Sequence, residues 1–209
     1  INDIAKFQTG EGAVKGITGR YMAGFFPVMM FGVPAAALAM YQTADSKQKK
    51  RVAGLMLAGS ISAFFVGVTE PIEFAFMFAA PVLFVIHALL TGLSLFIAAL
   101  FHWTAGFSFS AGLIDFLLSL INPVSNHPWM LMVQGVVFFV IYYVVFRVAI
   151  SVFNLNTPGR GDEKIADPVD EEGVSSETGK GGKYSAMSTQ IISGLGGKEN
   201  ITSLTNCAT

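Results

Sequence analysis

The chain has 209 residues, of which 53% are hydrophobic and only 13% are charged, and its formal net charge is -1. Soluble domains carry about 25% charged residues, and the mean hydropathy here is +0.58, so the composition indicates a protein embedded in a lipid bilayer. The few basic residues form no nucleic-acid-binding face, which argues against nucleic acid as a partner. The single cysteine, Cys207, excludes an internal disulfide framework.

The N-terminal part predicts a surface segment followed by a first membrane segment. Residues 1–20 are mixed and glycine-rich and predict a loop or a surface helix. Residues 21–43 are nearly long enough to cross a bilayer, which takes about 20 residues, and Pro27 and Pro34 predict that this segment is kinked or divided in two. Residues 45–51 contain four cations. Short loops rich in Lys and Arg stay in the cytoplasm, so we expect this loop on that side.

The stretch GVTEPIEF at residues 67–74 places two carboxylates and a proline inside an otherwise apolar sequence. A charged side chain at bilayer depth costs roughly 2.5 to 3.5 kcal/mol on insertion scales, so Glu70 and Glu73 are expected to face a cavity, a partner or a substrate. Pro71 biases Glu70 away from helical geometry, which predicts a broken backbone. A broken segment with carboxylates is typical of a site for a polar solute. The alternative is that Glu70 or Glu73 lies at a helix end at the level of the lipid headgroups, where it is solvated and has no binding role.

Residues 74–101 form a long apolar run that is interrupted by Pro81 and His87. The run is longer than one crossing needs, so it predicts either a re-entrant hairpin followed by a helix or a single tilted and kinked helix. On such an apolar face, His87 is more often a hydrogen-bonded core histidine than a ligand. A second polar interruption, rich in small and hydroxyl residues, follows at residues 102–112.

The next two segments differ in length. Residues 113–121, which include Asp115, are too short to cross a bilayer and predict a second re-entrant piece. Residues 130–153 are the cleanest spanning candidate. Trp129 at the start and Arg147 near the end favour a crossing that finishes on the cytoplasmic side.

The composition changes abruptly after residue 154. Residues 158–183 are rich in Gly, Ser and acidic residues and predict a disordered linker, because such a stretch buries too little apolar surface to fold. A modest apolar pattern returns in residues 184–209 and predicts the start of a soluble domain. The predicted organisation is a membrane domain at 1–157, the linker, and this truncated domain, so the chain is expected to be a piece of a longer protein.

Several of these motifs resemble one family, the glucose-superfamily enzyme II permeases of the bacterial phosphoenolpyruvate:sugar phosphotransferase system (PTS). The resemblance to the membrane C domain lies in GVTEPIEF at 67–74, FSFSAGLIDF at 107–116 and LNTPGRGDE at 155–163. The segment GGKENITSLTNCAT at 196–209 is similar to the phosphorylation site of the fused B domain, where an Asn-apolar pair precedes the active cysteine. Within the superfamily, residues 23–41 and 105–112 look most like the N-acetylglucosamine-specific permeases. Glucose-type members more often have a histidine at the position of Ala111. The alanine therefore weakens a glucose assignment without excluding it, and glucose is the alternative substrate.

The resemblance implies an all-α polytopic protein of the bacterial inner or plasma membrane, with kinked transmembrane helices and re-entrant hairpins. A small α+β domain is expected to begin after the linker, on the cytoplasmic side. The resemblance also implies that a phosphohistidine on an enzyme IIA protein or domain passes its phosphoryl group to Cys207, and that the phosphocysteine then phosphorylates the sugar 6-hydroxyl. Cys207 must be a thiolate to act as a nucleophile. No metal or cofactor is implied, because the phosphoryl donor is a phosphorylated protein.

For the sugar, the resemblance implies that Glu70 accepts charge-assisted hydrogen bonds from hydroxyl groups. Thr69 and Glu73 would support it, and His87 or Asp115 would line the path. A homodimer is implied by the family alone. One alternative is a facilitator or sensor that binds sugar without chemistry, and the chain by itself is expected to be inactive.

Overall fold

The computed structural model describes residues 3–160 together with residues 192, 194 and 200. Every named element in this part of the chain is helical, and the only strand-like feature there is an isolated bridge, so the all-α prediction is confirmed for it. The elements are α1 (Asp3–Thr9), α2 (Arg20–Ala23), α3 (Phe25–Pro27), a π-helical turn (Val28–Gly32), α4 (Val33–Thr43), α5 (Lys49–Val66), α6 (Glu70–Ala79), α7 (Pro81–Leu100), α8 (Leu113–Ile121) and α9 (Met130–Val152). Apart from the three isolated positions, the predicted linker beyond residue 160 and the predicted α+β domain lie outside the described residues.

Within the described residues, three helical runs are long and apolar enough to cross a membrane, namely Arg20–Thr43, Pro81–Leu100 and Met130–Val152. Large apolar side chains are exposed along the second and third runs, among them Leu89 and Val136. Lipid tails are as apolar as these side chains, so an exposed apolar face is what a helix surrounded by lipid presents. The predicted membrane domain therefore has helices of the required length and surface.

The first of these runs is one helical segment of 24 residues rather than two separate pieces. Its irregularity is the π-helical turn Val28–Gly32, which lies between Pro27 and Pro34. A proline has no N–H for the regular helical hydrogen bond, and local π-helical geometry is a common way to accommodate such a defect within a membrane helix. The two prolines are thus incorporated in a continuous span.

Residues 74–101 contain two helices that fold back on each other. Ala80, with φ -143° and ψ 76°, separates α6 from α7. On either side of it, Glu73 Oε1 and His87 Nε2 are 3.4 Å apart, whereas one continuous helix would separate these positions by about 21 Å. Helix α6 has ten residues and is about 15 Å long, half the thickness of a bilayer core. The single kinked helix is therefore excluded, and the chain forms a hairpin whose second arm is the long helix α7; the re-entrant arrangement stays a prediction.

The backbone break before α6 is present, but its cause differs from the prediction. Helix α5 ends where Gly67 adopts a left-handed conformation (φ 81°), and α6 begins at Glu70. The prediction that Pro71 moves Glu70 out of helical geometry is wrong. Pro71 lies in the first turn of α6, where a missing N–H removes no intrahelical bond.

The end of the molecule that contains α1, α8 and residues 101–112 and 122–129 is called here the loop layer. Its connecting segments are irregular, and Thr104 and Asn126 form the isolated bridge. Phe7 of α1 is buried against two glycines, since an added Cβ at Gly106 would lie 2.3 Å from the Phe7 ring and one at Gly19 would lie 2.6 Å from it. The loop layer therefore packs tightly although it has little regular structure.

At the opposite end, the segment after α9 is docked on the α4–α5 loop. The Asp45 N–H donates to the Gly159 carbonyl (2.9 Å), and Thr157, Pro158 and Gly159 are buried. Residues 158–160, assigned to the linker from the sequence, therefore pack against the helices. Arg147 of α9 donates to Gln42 of α4 at 2.6 Å, so α9 finishes at the same end as the cationic loop, as its predicted orientation requires.

Candidate functional site at the start of α6

The candidate site is the first turn of α6, where two carboxylates come together. Glu70 is exposed, and no described residue hydrogen-bonds or ion-pairs with its carboxylate. Glu73 is partly buried, with 21% of its side chain accessible, and its N–H donates to the Thr69 carbonyl at 3.0 Å. The free N–H groups of a first helical turn favour negative charge, so this turn suits both carboxylates.

The Glu73 carboxylate contacts a histidine of α7. His87 Nε2 lies 3.4 Å from Glu73 Oε1. An ionised carboxylate only accepts hydrogen bonds, so a proton on the His87 nitrogen that faces it favours this contact. Glu73 is thus fixed in place, whereas Glu70 is open.

The other side of the His87 ring contacts α9. The Tyr142 hydroxyl is 3.1 Å from His87 Nδ1, and Tyr142 is fully buried (0% exposed) while His87 is 8% exposed. The Thr91 hydroxyl donates to the His87 carbonyl at 2.8 Å. A chain of polar groups, called here the relay, therefore runs from Tyr142 on α9 through His87 on α7 to Glu73 on α6.

The Tyr142 ring is held by its apolar neighbours. It stacks on Phe146 with ring centroids 5.6 Å apart, and it lies so close to the π-helical turn that a Cβ on Gly32 would be 2.9 Å from the ring. Close-packed side chains have few alternative rotamers. The position of the Tyr142 hydroxyl is therefore set by contacts within α9, with the π-helical turn and with His87 of α7.

The structure thus brings together four of the residues predicted from the sequence, namely Thr69, Glu70, Glu73 and His87. Asp115 is not part of this group, since its carboxylate accepts the Ser108 N–H at 2.9 Å in the loop layer. Cys207 lies outside the described residues. Within the described part of the chain, no group of three or more His, Cys, Asp and Glu side chains could hold a metal ion.

Sequence reasoning missed Tyr142 and Thr91. A tyrosine in a 23-residue apolar helix is most simply read as core or as a membrane-interface residue. The available signal was general: a buried tyrosine hydroxyl nearly always has a hydrogen-bond partner, and His87 was a polar group in need of one.

Two grooves in the described residues lie elsewhere and are apolar. One, of about 360 Å³, runs between α4, α5 and α9 and is lined in part by Pro34, Tyr41, Met56 and Phe139. Sugar hydroxyls need several polar partners, and these walls provide almost none. The first turn of α6 is therefore the better candidate for binding a polar solute.

Comparison with known proteins agrees with the motifs. The family model of the phosphotransferase system EIIC matches residues 2–92, and that of EIIB matches residues 189–209. The chain is 48% identical over 208 residues to the N-acetylglucosamine-specific EIICBA component of Escherichia coli, covering 99% of this chain and 31% of that protein. It is 43% identical over 222 residues to the N-acetylglucosamine-specific EIICB component of Bacillus subtilis, covering 100% and 46%.

A relative with another named sugar is similar to the same degree. The chain is 46% identical over 191 residues to the glucose-specific EIICBA component of Staphylococcus carnosus, covering 91% of this chain and 26% of that protein. The chain spans less than half the length of each of these three relatives. With a membrane-domain model and a phosphotransfer-domain model matched in this order, the chain belongs to the EIIC and EIIB proteins of the phosphotransferase system.

Proposed function

We propose that the chain is part of a permease that imports a sugar and phosphorylates it, with N-acetylglucosamine as the favoured substrate. Membership of the family supports the reaction class, and the named specificity of the Escherichia coli and Bacillus subtilis relatives supports the sugar. The observation that carries the proposal is the open carboxylate of Glu70 in the first turn of the short helix α6.

In this proposal Glu70 contacts the sugar directly. Its carboxylate is an acceptor without a donor among the described residues, and sugar hydroxyls supply donors in charge-assisted hydrogen bonds. The Glu73 carboxylate already faces His87 Nε2 at 3.4 Å. Glu73 and Thr69 therefore support the turn, and His87 acts through Glu73 instead of contacting the sugar.

The chemistry is assigned to Cys207, from the family resemblance. The Cys207 thiolate attacks the phosphorus of a phosphohistidine on an enzyme IIA protein or domain, and the P–N bond breaks. The sugar 6-hydroxyl oxygen then attacks the phosphocysteine, the P–S bond breaks, the thiolate is regenerated and the hydroxyl proton passes to solvent. Phosphoryl transfer depends mainly on positioning and charge stabilisation, and no cofactor is required.

The remaining organisation is part of the same proposal. Residues 1–157 contribute to the sugar-translocating membrane domain, residues 158–183 serve as a linker, and residues 184–209 begin an α+β phosphotransfer domain in the cytoplasm. Helices α6 and α8 are the proposed re-entrant pieces, and the protein lies in the bacterial inner or plasma membrane. The homodimer implied by the family stays a prediction.

The test is sugar uptake and phosphorylation by the full-length protein in membrane vesicles supplied with a phosphorylated IIA donor. Labelled N-acetylglucosamine is followed for the wild type, Cys207→Ser and Glu70→Gln. We expect Cys207→Ser to bind sugar but form no sugar phosphate, and Glu70→Gln to lose binding. Asp115→Asn is the matched control, because it makes the same carboxylate-to-amide change at a residue that bonds the backbone of Ser108.

Two results would contradict parts of the proposal. Normal sugar phosphate formation by Cys207→Ser would remove the phosphocysteine step, and sugar uptake by the wild type without any sugar phosphate would favour a facilitator or sensor. Stronger competition by unlabelled glucose than by unlabelled N-acetylglucosamine would make glucose the substrate, which the similarity to the Staphylococcus carnosus relative keeps as the second candidate.

A further inference from the structure

We propose that Tyr142 and His87 are positioning residues of the sugar site: through the relay they orient Glu73 and so fix the turn of α6 that carries Glu70. Neither residue needs to touch the sugar in this role. The inference deepens the proposed function and rests on it, because it concerns how tightly that same site holds its substrate.

The contact with Glu73 sets the direction of the hydrogen bonds in the relay. In a neutral imidazole with its proton on Nε2, where it faces the Glu73 carboxylate, Nδ1 is an acceptor. The Tyr142 hydroxyl lies 3.1 Å from Nδ1 and 3.3 Å from the His87 carbonyl, which also accepts from Thr91 at 2.8 Å. We therefore assign the Tyr142 hydroxyl as the donor to Nδ1.

The hydroxyl of Tyr142 thus selects the tautomer of His87. Without it, Nδ1 has no donor, and the ring can carry its proton on Nδ1 and turn the lone pair of Nε2 towards Glu73. Two acceptors would then face each other, and the Glu73 carboxylate would lose its donor on α7. Removal of the Tyr142 hydroxyl on α9 would therefore weaken the contact of His87 with Glu73 on α6.

Helix α6 depends on this contact more than a longer helix would. It has ten residues, and its N-cap residue Thr69 makes no side-chain capping bond. Its buried side chains are Ile72, which lies against Gly59 of α5, and Phe76. The Glu73–His87 contact is the polar tie at the same end of α6 as Glu70, so it orients the turn that presents Glu70.

The histidine offers a pair of variants that separate the two ring nitrogens. The amide of glutamine reaches about as far as Nε2 of histidine, and that of asparagine about as far as Nδ1. His87→Gln can therefore still donate to Glu73, whereas His87→Asn can bond Tyr142 but not Glu73. A role that only fills space would not distinguish these two neutral amides in this way.

The test measures KM and kcat for N-acetylglucosamine with the full-length protein. One lost charge-assisted hydrogen bond corresponds to roughly a tenfold change. We expect Tyr142→Phe and His87→Asn to raise KM about tenfold with a smaller change in kcat, and His87→Gln to restore KM to about the wild-type value. Tyr143→Phe is the control, since this neighbouring tyrosine of α9 donates to exposed Gln42.

Two outcomes would overturn the inference. In one, Tyr142→Phe lowers the unfolding temperature but leaves KM unchanged; in the other, His87→Asn and His87→Gln have the same KM. Glu70→Gln is measured in parallel. If Glu70→Gln binds sugar like the wild type, the proposed function fails and this inference with it. If Glu70→Gln loses binding while Tyr142→Phe does not alter KM, only this inference fails.

Discussion

The relay and the loop layer are both polar interruptions of an apolar chain, but their side chains bond to different partners. In the loop layer they bond mainly to the backbone: Ser119 donates to the Gly106 carbonyl at 2.6 Å, and Asp115 accepts the Ser108 N–H. In the relay, side chains bond to one another across helices, from Tyr142 to His87 and on to Glu73.

The difference indicates two uses for polar residues in a membrane protein. Irregular backbone has no helical hydrogen bonds, and in a nonpolar surrounding each of its N–H and C=O groups still needs a partner. The side chains of the loop layer supply such partners, so their hydrogen-bonding groups are already occupied by the backbone. The relay supplies no hydrogen-bond partners to irregular backbone, and the carboxylate of Glu70 beside it is open.

The largest expected effect in the loop layer comes from Gly112→Ala. A Cβ at Gly112 would lie 2.4 Å from the Val66 carbonyl carbon and 2.5 Å from the Gly67 nitrogen. Both are backbone atoms that cannot move aside, so we expect destabilisation of about 3 kcal/mol. The yield of folded protein in membranes and the unfolding temperature measure it. Gly92→Ala is the control, since nothing lies within 4 Å of its added Cβ; equal losses in both variants would contradict the packing argument.

A smaller effect is expected from Ser119→Ala. This buried hydroxyl donates to the Gly106 carbonyl and accepts the Gly106 N–H at 3.2 Å. Its removal leaves both backbone groups without their partner, which costs about 1 to 3 kcal/mol. We expect a lower unfolding temperature with an unchanged KM for sugar. A rise in KM as large as that of Tyr142→Phe would show that the loop layer also shapes the site, and the comparison would no longer hold.

The smallest effect is expected from Gln8→Ala. Gln8 donates to the Ser108 hydroxyl at 2.9 Å, but both groups are exposed to solvent. Water replaces such a bond, so the change in unfolding free energy should stay within about 0.5 kcal/mol. Unfolding curves of the variant and the wild type should coincide. A clear loss of stability would mean that α1 is attached by its polar groups rather than by buried Phe7.

Local chemistry accounts for the parts of the fold that the sequence predicted. The break before α6 follows from Gly67, because glycine readily adopts the left-handed backbone found there. The hairpin was one of two alternatives, and Pro81 marks its turn by opening α7. The role given to Pro71 was wrong because a proline in the interior of a helix and one in its first turn have opposite effects, and the residue type alone does not tell which applies.

The relay could not be predicted in the same way. Tyr142 and His87 are far apart in the sequence, and their contact depends on how α9 and α7 are rotated about their axes. Sequence analysis named Glu70 and Glu73 because a carboxylate is conspicuous in an apolar chain. The family resemblance assigned the sugar contact to Glu70 and a supporting role to Glu73, but the residues themselves did not show that Glu73 is the one held by a partner, since that depends on where His87 lies.

The π-helical turn in the first span allows one helix to serve both regions. Such a turn contains one residue more than an α-helical turn, which rotates the helix before it by about 100° relative to the helix after it. Phe26, before the turn, faces Phe116 of the loop layer, with ring centroids 5.8 Å apart. Gly32, at its end, faces the Tyr142 ring. The extra residue therefore sets the rotation between the two halves of the span. Deleting any one residue of 28–32 would turn either Phe26 away from Phe116 or Gly32 away from Tyr142.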